Sequence, residues 1–494
     1  MKQLETDVAI VAAGPSGLCA AVAAAEGGAE VIVFEKASTF GGTANMGMGP
    51  FGVESKLQRR SMIGITKEEV FRRFMDYVHW QVDAQLVHNY IWKSGSTIDW
   101  LEDMGVEFAG AMKNFPASEA TWHVVMPPSG KPGARCASAM NKVLYERAME
   151  LGVEFYFNTP AYEIIKDGDE VIGLRARSDE DGEEYDVNAG AVVIATGGFG
   201  SNPEMVKDYT QYTLAREYEP GVDMIDFMVP GIVGDGIKMA WAAGAGKSRM
   251  EMERIIGMPL PGAMVFERPQ STLFNQGAAI AINRSGYRVC DESVMQNMAI
   301  GANIIGYQQG RELWRMLDDV ALEYYRTHEL DFPSEVFQDD PTVDFEETWE
   351  RYSKEFPKDA FVADSVEELA KAMGVNVANL VETVETYNKF CDQNYDDDFN
   401  KDRQYLHALR GRKFYAMRYS SHAYGSLGGI KIDHKLRALT EDYEVIPGLW
   451  AAGTDACDIY NGTYDYYLPG NTMGFAVNTG RMAGEYAAAY ALSV

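Results

Sequence analysis

The residues Asp7-Val8-Ala9-Ile10-Val11-Ala12-Ala13-Gly14-Pro15-Ser16-Gly17 open this chain, and the next apolar run, Val31-Ile32-Val33-Phe34, ends at Glu35. The pattern predicts a strand, a glycine turn, a helix over Ser16 to Gly27 and a second strand. In such a unit Gly14 lets the backbone approach a pyrophosphate, Gly17 allows the helix to pack closely on the strand, and Glu35 holds a ribose hydroxyl. Ala12 stands where the first glycine of G-x-G-x-x-G is expected. The stretch predicts an α/β fold that binds a dinucleotide.

Composition limits the classes of partner. The chain has 494 residues, enough for two or more domains, and its net charge of −29 argues against nucleic acid and anionic membrane surfaces. The five cysteines form no C-x-x-C pair, so the sequence predicts no iron–sulfur cluster, attached haem or metal site. The N-terminus enters the first strand without an apolar signal region, and no stretch reaches about 18 uninterrupted apolar residues. These features predict a cytoplasmic protein without membrane insertion.

Further strands, helices and glycine turns follow the opening unit. Strands are predicted over 161–166, 171–177, 184–187 and 191–195, the last leading into Thr196-Gly197-Gly198. A helix is predicted after Gly234-Asp235-Gly236, over 237–244. Residues 246–412 are richer in charged helices, for example 366–373 and 377–390, which indicates an inserted domain. A strand that leads into a glycine turn over 445–454 and a closing helix over 480–490 complete the prediction.

Several different short motifs follow one another along the chain in a characteristic order. They are Glu35, Gly41-Gly42, Ala195 to Phe199, Gly234-Asp235-Gly236, Ile282-Asn283 with Gly286-Tyr287-Arg288, Gly428-Gly429, Pro447-Gly448-Leu449, Ala452-Gly453, Gly470-Asn471 and Gly480-Arg481. In this order and spacing the chain resembles the flavoprotein family of soluble fumarate reductases, urocanate reductases and 3-ketosteroid dehydrogenases. The resemblance implies a Rossmann-like α/β FAD-binding domain in two segments, 1–245 and 413–494, with a mobile α+β capping domain, 246–412, between them.

The resemblance also implies which residues bind FAD. They are Ala13, Gly14, Pro15, Ser16, Gly17, Glu35, Lys36, Gly41, Gly42, Thr43, Ala44, Asn45, Thr196, Gly197, Gly198, Asp235, Gly453, Thr454, Asp455, Gly470, Asn471, Thr472 and Met473. Relatives use Ala-Gly-Glu near the ribityl chain, whereas this chain has Ala452-Gly453-Thr454, with Asp455 as a candidate replacement. Relatives that attach the flavin covalently place a histidine after the Gly-Gly pair. The segment Thr43 to Gly49 contains none, so we expect non-covalent FAD.

The charged residues that hold dicarboxylates in the fumarate reductases are missing. Their catalytic cap arginine falls on Gln296, and their early cap histidine falls on Met258, before Pro259. Their later histidine pair falls on Tyr424-Gly425, and their terminal arginine falls on Tyr467. Because a dianion needs charge-assisted hydrogen bonds when it leaves water, the losses argue against fumarate, urocanate and other small carboxylates.

Tyrosines take the place of these charged groups. In 3-ketosteroid dehydrogenases a tyrosine and a glycine amide polarise the substrate ketone, and Tyr466 or Tyr467 with Gly470 looks similar. The candidate catalytic residues are therefore Tyr467, Tyr466, Tyr464, Tyr424 and Gly470, with Gln296 at the cap position. Tyr467 is the first choice, and His422 and His123 are weaker ones. Four tyrosines within eight residues, Tyr460 to Tyr467, are also compatible with simple packing.

The sequence thus predicts an FAD-dependent oxidoreductase acting on a carbon–carbon double bond beside a carbonyl or aromatic group in a neutral, flat substrate. Reduction is the favoured direction, with a tyrosine handling the proton. A fumarate-type carboxylate reductase using Arg284 or Arg288 is one alternative, and a non-catalytic electron-transfer flavoprotein is another. The chain has no second dinucleotide fingerprint, so the expected partners are a small-molecule substrate and an external electron donor protein.

Overall fold

The computed structural model describes residues 1–210, 225–226, 229–257 and 269–493. Within these ranges the strands are β1 (Lys2–Val11), β2 (Val31–Phe34), β3 (Phe108–Met112), β4 (Trp122–Val125), β5 (Glu154–Tyr156), β6 (Ala161–Asp167), β7 (Glu170–Arg177), β8 (Glu184–Ile194), β9 (Ile225–Asp226), β10 (Glu251–Gly257), β11 (Ile280–Ile282), β12 (Glu312–Asp318), β13 (Ala360–Ala363), β14 (Phe414–Leu427), β15 (Arg437–Leu439) and β16 (Val445–Ala451). The helices are α1 (Pro15–Glu26), α2 (Lys56–Arg60), α3 (Lys67–Tyr77), α4 (Ala84–Asp103), α5 (Ser138–Glu150), α6 (Pro203–Tyr209), α7 (Asp235–Ala242), α8 (Met298–Tyr307), α9 (Asp319–Thr327), α10 (Phe345–Glu355), α11 (Val366–Met373), α12 (Val377–Gln393) and α13 (Asn471–Ala491).

The first sheet has the strand order β15-β16-β8-β1-β2-β5, and the β6–β7 hairpin extends it from β8. The strands from β16 to β5 pair in parallel, as β1 does with β2 from Val8 opposite Val31 to Val11 opposite Phe34. The apolar ends of β1 and β8 are buried on both faces, which is typical of a parallel sheet covered by helices. This arrangement confirms the predicted Rossmann-like α/β fold.

Most predicted elements of this sheet agree with the structure, with one difference in β8. The predicted strands 184–187 and 191–195 are two parts of the single strand Glu184–Ile194. The strand continues because its pairing with β1 runs from Tyr185 to Ile194, so the polar residues between the two apolar parts do not interrupt it.

The closing helix begins earlier than predicted. Helix α13 starts at Asn471 rather than Gly480, directly after Gly470, whose φ of 86° provides the left-handed N-cap. A Cβ built on Gly480 would lie 2.2 Å from the carbonyl oxygen of Ser16, so this glycine is needed for α13 to pack on α1. With 21 residues α13 is the longest helix of the described ranges, and none of the helices there is both long and apolar enough to cross a membrane.

A second sheet has the order β10-β14-β12-β11, and β13 and β9 also pair with β14. Four of its strands come from residues 246–412, the segment predicted to be the cap. Its central strand is β14, Phe414–Leu427, which follows the predicted boundary at 412. The boundaries 245/246 and 412/413 stay predictions, and β14 joins the two predicted segments through its backbone hydrogen bonds.

Ala12 occupies the left-handed region, with a φ of 82°, at the turn between β1 and α1. An L-residue with a Cβ is disfavoured there, whereas glycine is not. We therefore expect Ala12→Gly to raise the free energy of unfolding by about 1 kcal/mol. Chemical denaturation checks the value, and Ala23→Gly inside α1 is the matched control, because the same change in a helix should destabilise by about 1 kcal/mol.

Candidate functional site

A cavity of about 610 Å³ lies between the two sheets. Its walls come from the turn before α1, the glycine-rich loop 42–49, strands β10 and β14, and the first turns of α13. Aromatic residues close it on the side of the inserted segment and the β3–β4 region; they are Phe115, Trp122, Phe332 and Phe337. The cavity thus joins the predicted nucleotide end to the predicted substrate end.

The nucleotide end is built on the N-terminus of α1. Gly14, Pro15 and Ser16 line the cavity, and a Cβ placed on Gly14 would meet no atom within 4 Å, so the space beside this turn is open. A Cβ on Gly17 would lie 1.9 Å from the carbonyl oxygen of Ala12, which is why α1 packs so closely on β1. An open glycine turn at a helix N-terminus fits a pyrophosphate, because free amide groups and the helix dipole favour an anion.

Glu35 lies at the end of β2, as the fingerprint predicts. Its carboxylate lines the cavity and accepts hydrogen bonds from the amides of Ala13 and Ala37, each at 2.7 Å. Lys36 forms an ion pair of 2.6 Å with Asp235 at the start of α7, and both residues line the same end. The two amides hold the carboxylate of Glu35 at the cavity wall, and its contact with a ribose hydroxyl stays a prediction.

The remaining predicted FAD residues divide into two groups. Those that line the cavity are Gly42, Thr43, Ala44, Asn45, Thr196, Gly197, Thr454, Gly470, Thr472 and Met473. Those that are absent from its wall are Ala13, Gly17, Gly41, Gly198, Gly453, Asp455 and Asn471. Residues of the second group make hydrogen bonds behind the wall: the amide of Gly41 donates to the carbonyl of Ala13 at 2.8 Å, and the amide of Gly453 donates to the hydroxyl of Thr479 at 2.9 Å.

Asp455 illustrates this supporting role. Its buried carboxylate accepts hydrogen bonds from the amides of Thr196, Gly197 and Gly198 and from the hydroxyl of Thr196. Burial raises the pKa of Asp455, and these hydrogen bonds oppose that change. The carboxylate holds the glycine turn after β8, and a direct contact with the ribityl chain stays a prediction.

Three of the four tyrosines predicted to be catalytic meet at the substrate end. Tyr424, Tyr464 and Tyr466 line the cavity, and the hydroxyl of Tyr464 accepts a hydrogen bond from the amide of Thr472 at 3.0 Å. The hydroxyl of Tyr466 is buried and has no hydrogen-bond partner within the described part of the chain. A buried donor of this kind is available to a substrate oxygen.

Tyr467, the first choice from the sequence, lies outside the cavity wall. Its ring packs edge-on against Phe115 and Tyr77, with ring centres 5.5 and 6.1 Å apart. Gln296 does line the cavity, and its side-chain amide donates to the carbonyl of Asn275 at 2.6 Å. A catalytic role for either residue stays a prediction.

The sequence analysis missed Glu253. This buried glutamate of β10 lines the cavity, and its carboxyl accepts a hydrogen bond of 2.7 Å from the hydroxyl of Thr472. Burial raises the pKa of Glu253 to about 8, so the group carries a proton at neutral pH. No local pattern marks this residue, because Glu253 is one of three charged residues in β10 and its burial arises only in the folded chain.

No arginine or histidine in the described part of the chain lines the cavity. Arg284 pairs with Glu312, and Arg288 is buried in an ion cluster with Glu292 and Asp396. Met258 and Pro259 lie outside the described residues.

The two candidate histidines, His123 and His422, are buried away from the cavity wall and contact serine hydroxyls. Burial lowers the pKa of His123 and of His422 to about 4. His123 hydrogen-bonds Ser55, and His422 lies 3.3 Å from the hydroxyl of Ser420. Among the described residues, the wall of the substrate end therefore has no arginine or histidine, the residue types that the family resemblance expects for binding a dicarboxylate.

Comparison with known proteins agrees with this geometry. The family model described as the FAD binding domain matches residues 7–473. A vinyl phenol reductase of Lactiplantibacillus plantarum is 29% identical over 98% of this chain and 96% of its own length. A fumarate reductase (cytochrome) of Shewanella frigidimarina is 28% identical over 98% of this chain and 77% of its own length.

A solved structure supports the fold. The 3-ketosteroid-Δ4-(5α)-dehydrogenase of Rhodococcus jostii superposes with a TM-score of 0.77 at 22% identity, over 99% of this chain and 98% of that one. The chain belongs to the FAD-binding family that includes fumarate reductases and 3-ketosteroid dehydrogenases. It is an FAD-dependent oxidoreductase of the class that acts on carbon–carbon double bonds.

Proposed function

We propose that the protein reduces a carbon–carbon double bond conjugated to an aromatic ring or a carbonyl group in a neutral, flat substrate. The observation that carries the proposal is the substrate end of the cavity, where tyrosines and other aromatic residues stand and where the described wall has no arginine or histidine. A carboxylate brought to such a wall would lose its water without gaining a cation, at a cost of several kcal/mol. A vinyl phenol, an enone or a ketosteroid avoids this cost.

The chain's own residues would bind and orient such a substrate. The flat rings of Tyr424, Trp122 and Phe115 offer apolar surface to an aromatic body. The unpartnered hydroxyl of Tyr466 would donate a hydrogen bond to the substrate's phenol or ketone oxygen, and in an enone this oxygen gains negative charge when hydride reaches the β-carbon. FAD, when bound and reduced, supplies two electrons and one proton to the other end of the conjugated system.

The relatives support this substrate class. A vinyl phenol reductase matches nearly the whole chain, and a 3-oxosteroid 1-dehydrogenase of Mycolicibacterium smegmatis is 25% identical over 97% of it. Both names describe substrates that carry an oxygen atom on a carbon ring, as a phenol in one and as a 3-oxo group in the other. The segment 246–412 is proposed to act as the cap over this site, and the two electrons are proposed to come from an external donor.

FAD is proposed to bind without a covalent bond. The flavin-attaching histidine of some relatives is missing from 43–49, and the described cavity wall contains neither histidine nor cysteine. We therefore expect acid precipitation to release all of the yellow cofactor into the supernatant. A denaturing gel of the same sample should show no flavin fluorescence in the protein band, whereas a fluorescent band would contradict non-covalent binding.

The proposed function is tested by anaerobic assay with reduced viologen as the electron source. The panel contains a vinyl phenol, a cyclic enone, a ketosteroid and fumarate. We expect substrate-dependent oxidation of the viologen with at least one neutral substrate. Turnover of fumarate alone would overturn the proposal, and reoxidation by none of the four would favour a pure electron carrier.

A further inference from the structure

Glu253 is an acidic group in the cavity to which neither the sequence nor the family resemblance gives a role. It lies on β10, whose residues Ile256 and Gly257 also line the cavity, and it faces the first turn of α13. The hydroxyl of Thr472 donates to its Oε2 atom at 2.7 Å. The adjacent Arg254 is directed elsewhere, with its guanidinium donating to Asn303 at 3.2 Å.

The groups around Glu253 do not compensate a negative charge. The titratable side chains that face it are Tyr424, Tyr460, Tyr464, Tyr466 and Cys457. No lysine or arginine of the described residues forms an ion pair with it. Burial raises the pKa of Glu253 to about 8, and only the Thr472 hydrogen bond opposes this change.

The neighbouring tyrosines are much weaker acids. Burial raises the pKa of Tyr424, Tyr464 and Tyr466 above the ordinary value of a phenol. A proton donor works best when its pKa lies near the working pH. The carboxyl group in this wall meets that requirement, and the phenols do not.

We propose that Glu253, protonated in the resting enzyme and open to the cavity, is the acid that gives the second proton to the substrate. This inference rests on the proposed function. Reduction of one double bond takes two electrons and two protons, of which reduced FAD supplies both electrons and one proton. The O–H bond of Glu253 breaks, a C–H bond forms at the second alkene carbon, and the resulting carboxylate regains its proton from solvent.

The test compares Glu253→Gln with Glu251→Gln, a buried glutamate of the same strand that is absent from the cavity wall. We expect Glu253→Gln to lower kcat for the alkene by at least about 100-fold, the range typical of a lost general acid. Oxidation of its reduced flavin by ferricyanide, which requires no proton donor, should stay unchanged, and Glu251→Gln should keep the wild-type kcat. Glu253→Asp should restore part of the activity.

The pH profile provides a second readout. In the wild type kcat should fall as the pH rises through about 8, because the group loses the proton that it must donate. Thr472→Val keeps the carboxyl group but removes the hydrogen bond that favours its ionised form, so the fall should move to higher pH. An unchanged alkaline limb in Glu253→Gln would overturn the proposal.

Infrared difference spectroscopy tests the protonation state without turnover. Holoenzyme at neutral pH should show the carbonyl band of a buried, protonated carboxyl group that is missing in Glu253→Gln and that disappears as the pH is raised. A carboxylate that is already ionised at neutral pH would contradict the proposal. If the wild type reduced no alkene, the proposed function would fail, while this band would still report separately on Glu253.

Discussion

Replacement of Tyr466 by phenylalanine should lower kcat/KM for a vinyl phenol by about 100-fold, because it removes one preorganised donor from the wall that receives the substrate oxygen. The hydroxyl is buried, lines the cavity and has no other partner in the described part of the chain. Since no protein hydrogen bond is broken, the stability should change little. Steady-state kinetics with reduced viologen measures the first quantity, and thermal unfolding measures the second.

Tyr467→Phe is the informative comparison. Tyr467 was the first choice on sequence grounds, yet its ring packs against Phe115 and Tyr77 outside the cavity wall. We expect a smaller loss of kcat/KM for Tyr467→Phe than for Tyr466→Phe, with the FAD content of both variants equal to that of the wild type. The reverse order would place the substrate oxygen at Tyr467 and contradict our assignment.

Replacement of Arg288 by methionine should destabilise the protein by about 3–5 kcal/mol, because it leaves the buried Asp396 without a cation and Glu292 with Lys401 alone. The guanidinium donates to Glu292 and Asp396 at 3.0–3.1 Å, and its side chain is only 2% exposed. Burial alone would raise the pKa of Glu292, but Lys401 and Arg288 lower it to about 2. Urea denaturation measures the loss.

Arg284→Met is the matched control. Arg284 pairs with Glu312, but its side chain is 50% exposed, so the loss should stay below about 1 kcal/mol. The two variants also test the alternative in which one of these arginines holds a carboxylate substrate. An Arg288→Met protein of wild-type stability that had lost activity toward fumarate would favour that alternative.

The cofactor end could be predicted from the sequence because its chemistry depends on the backbone. Gly14 and Glu35 follow apolar strands at fixed spacing, and both residues line the cavity. The start of α13 at Asn471 was missed, because Gly470 and the polar residues after it are typical of a loop. That early start positions Thr472 beside Glu253 and Tyr464.

The substrate end could be predicted only in part. Four tyrosines in one short segment indicated an aromatic site, but which rings face the cavity depends on how the segment packs against α3 and β10. Tyr466 faces the cavity and Tyr467 does not, although they are adjacent. The raised pKa of Glu253 results from burial by segments that are distant in the sequence. No local sequence pattern could predict that burial.

The central claim is that the substrate end accepts a neutral conjugated molecule and rejects a carboxylate. The most direct measurement is the ratio of kcat/KM for 4-vinylphenol and 4-hydroxycinnamate, which share the ring and the double bond and differ by one carboxylate. Our account predicts a preference of at least about 100-fold for 4-vinylphenol, since an unpaired buried carboxylate costs several kcal/mol. An equal or greater kcat/KM for 4-hydroxycinnamate would contradict it.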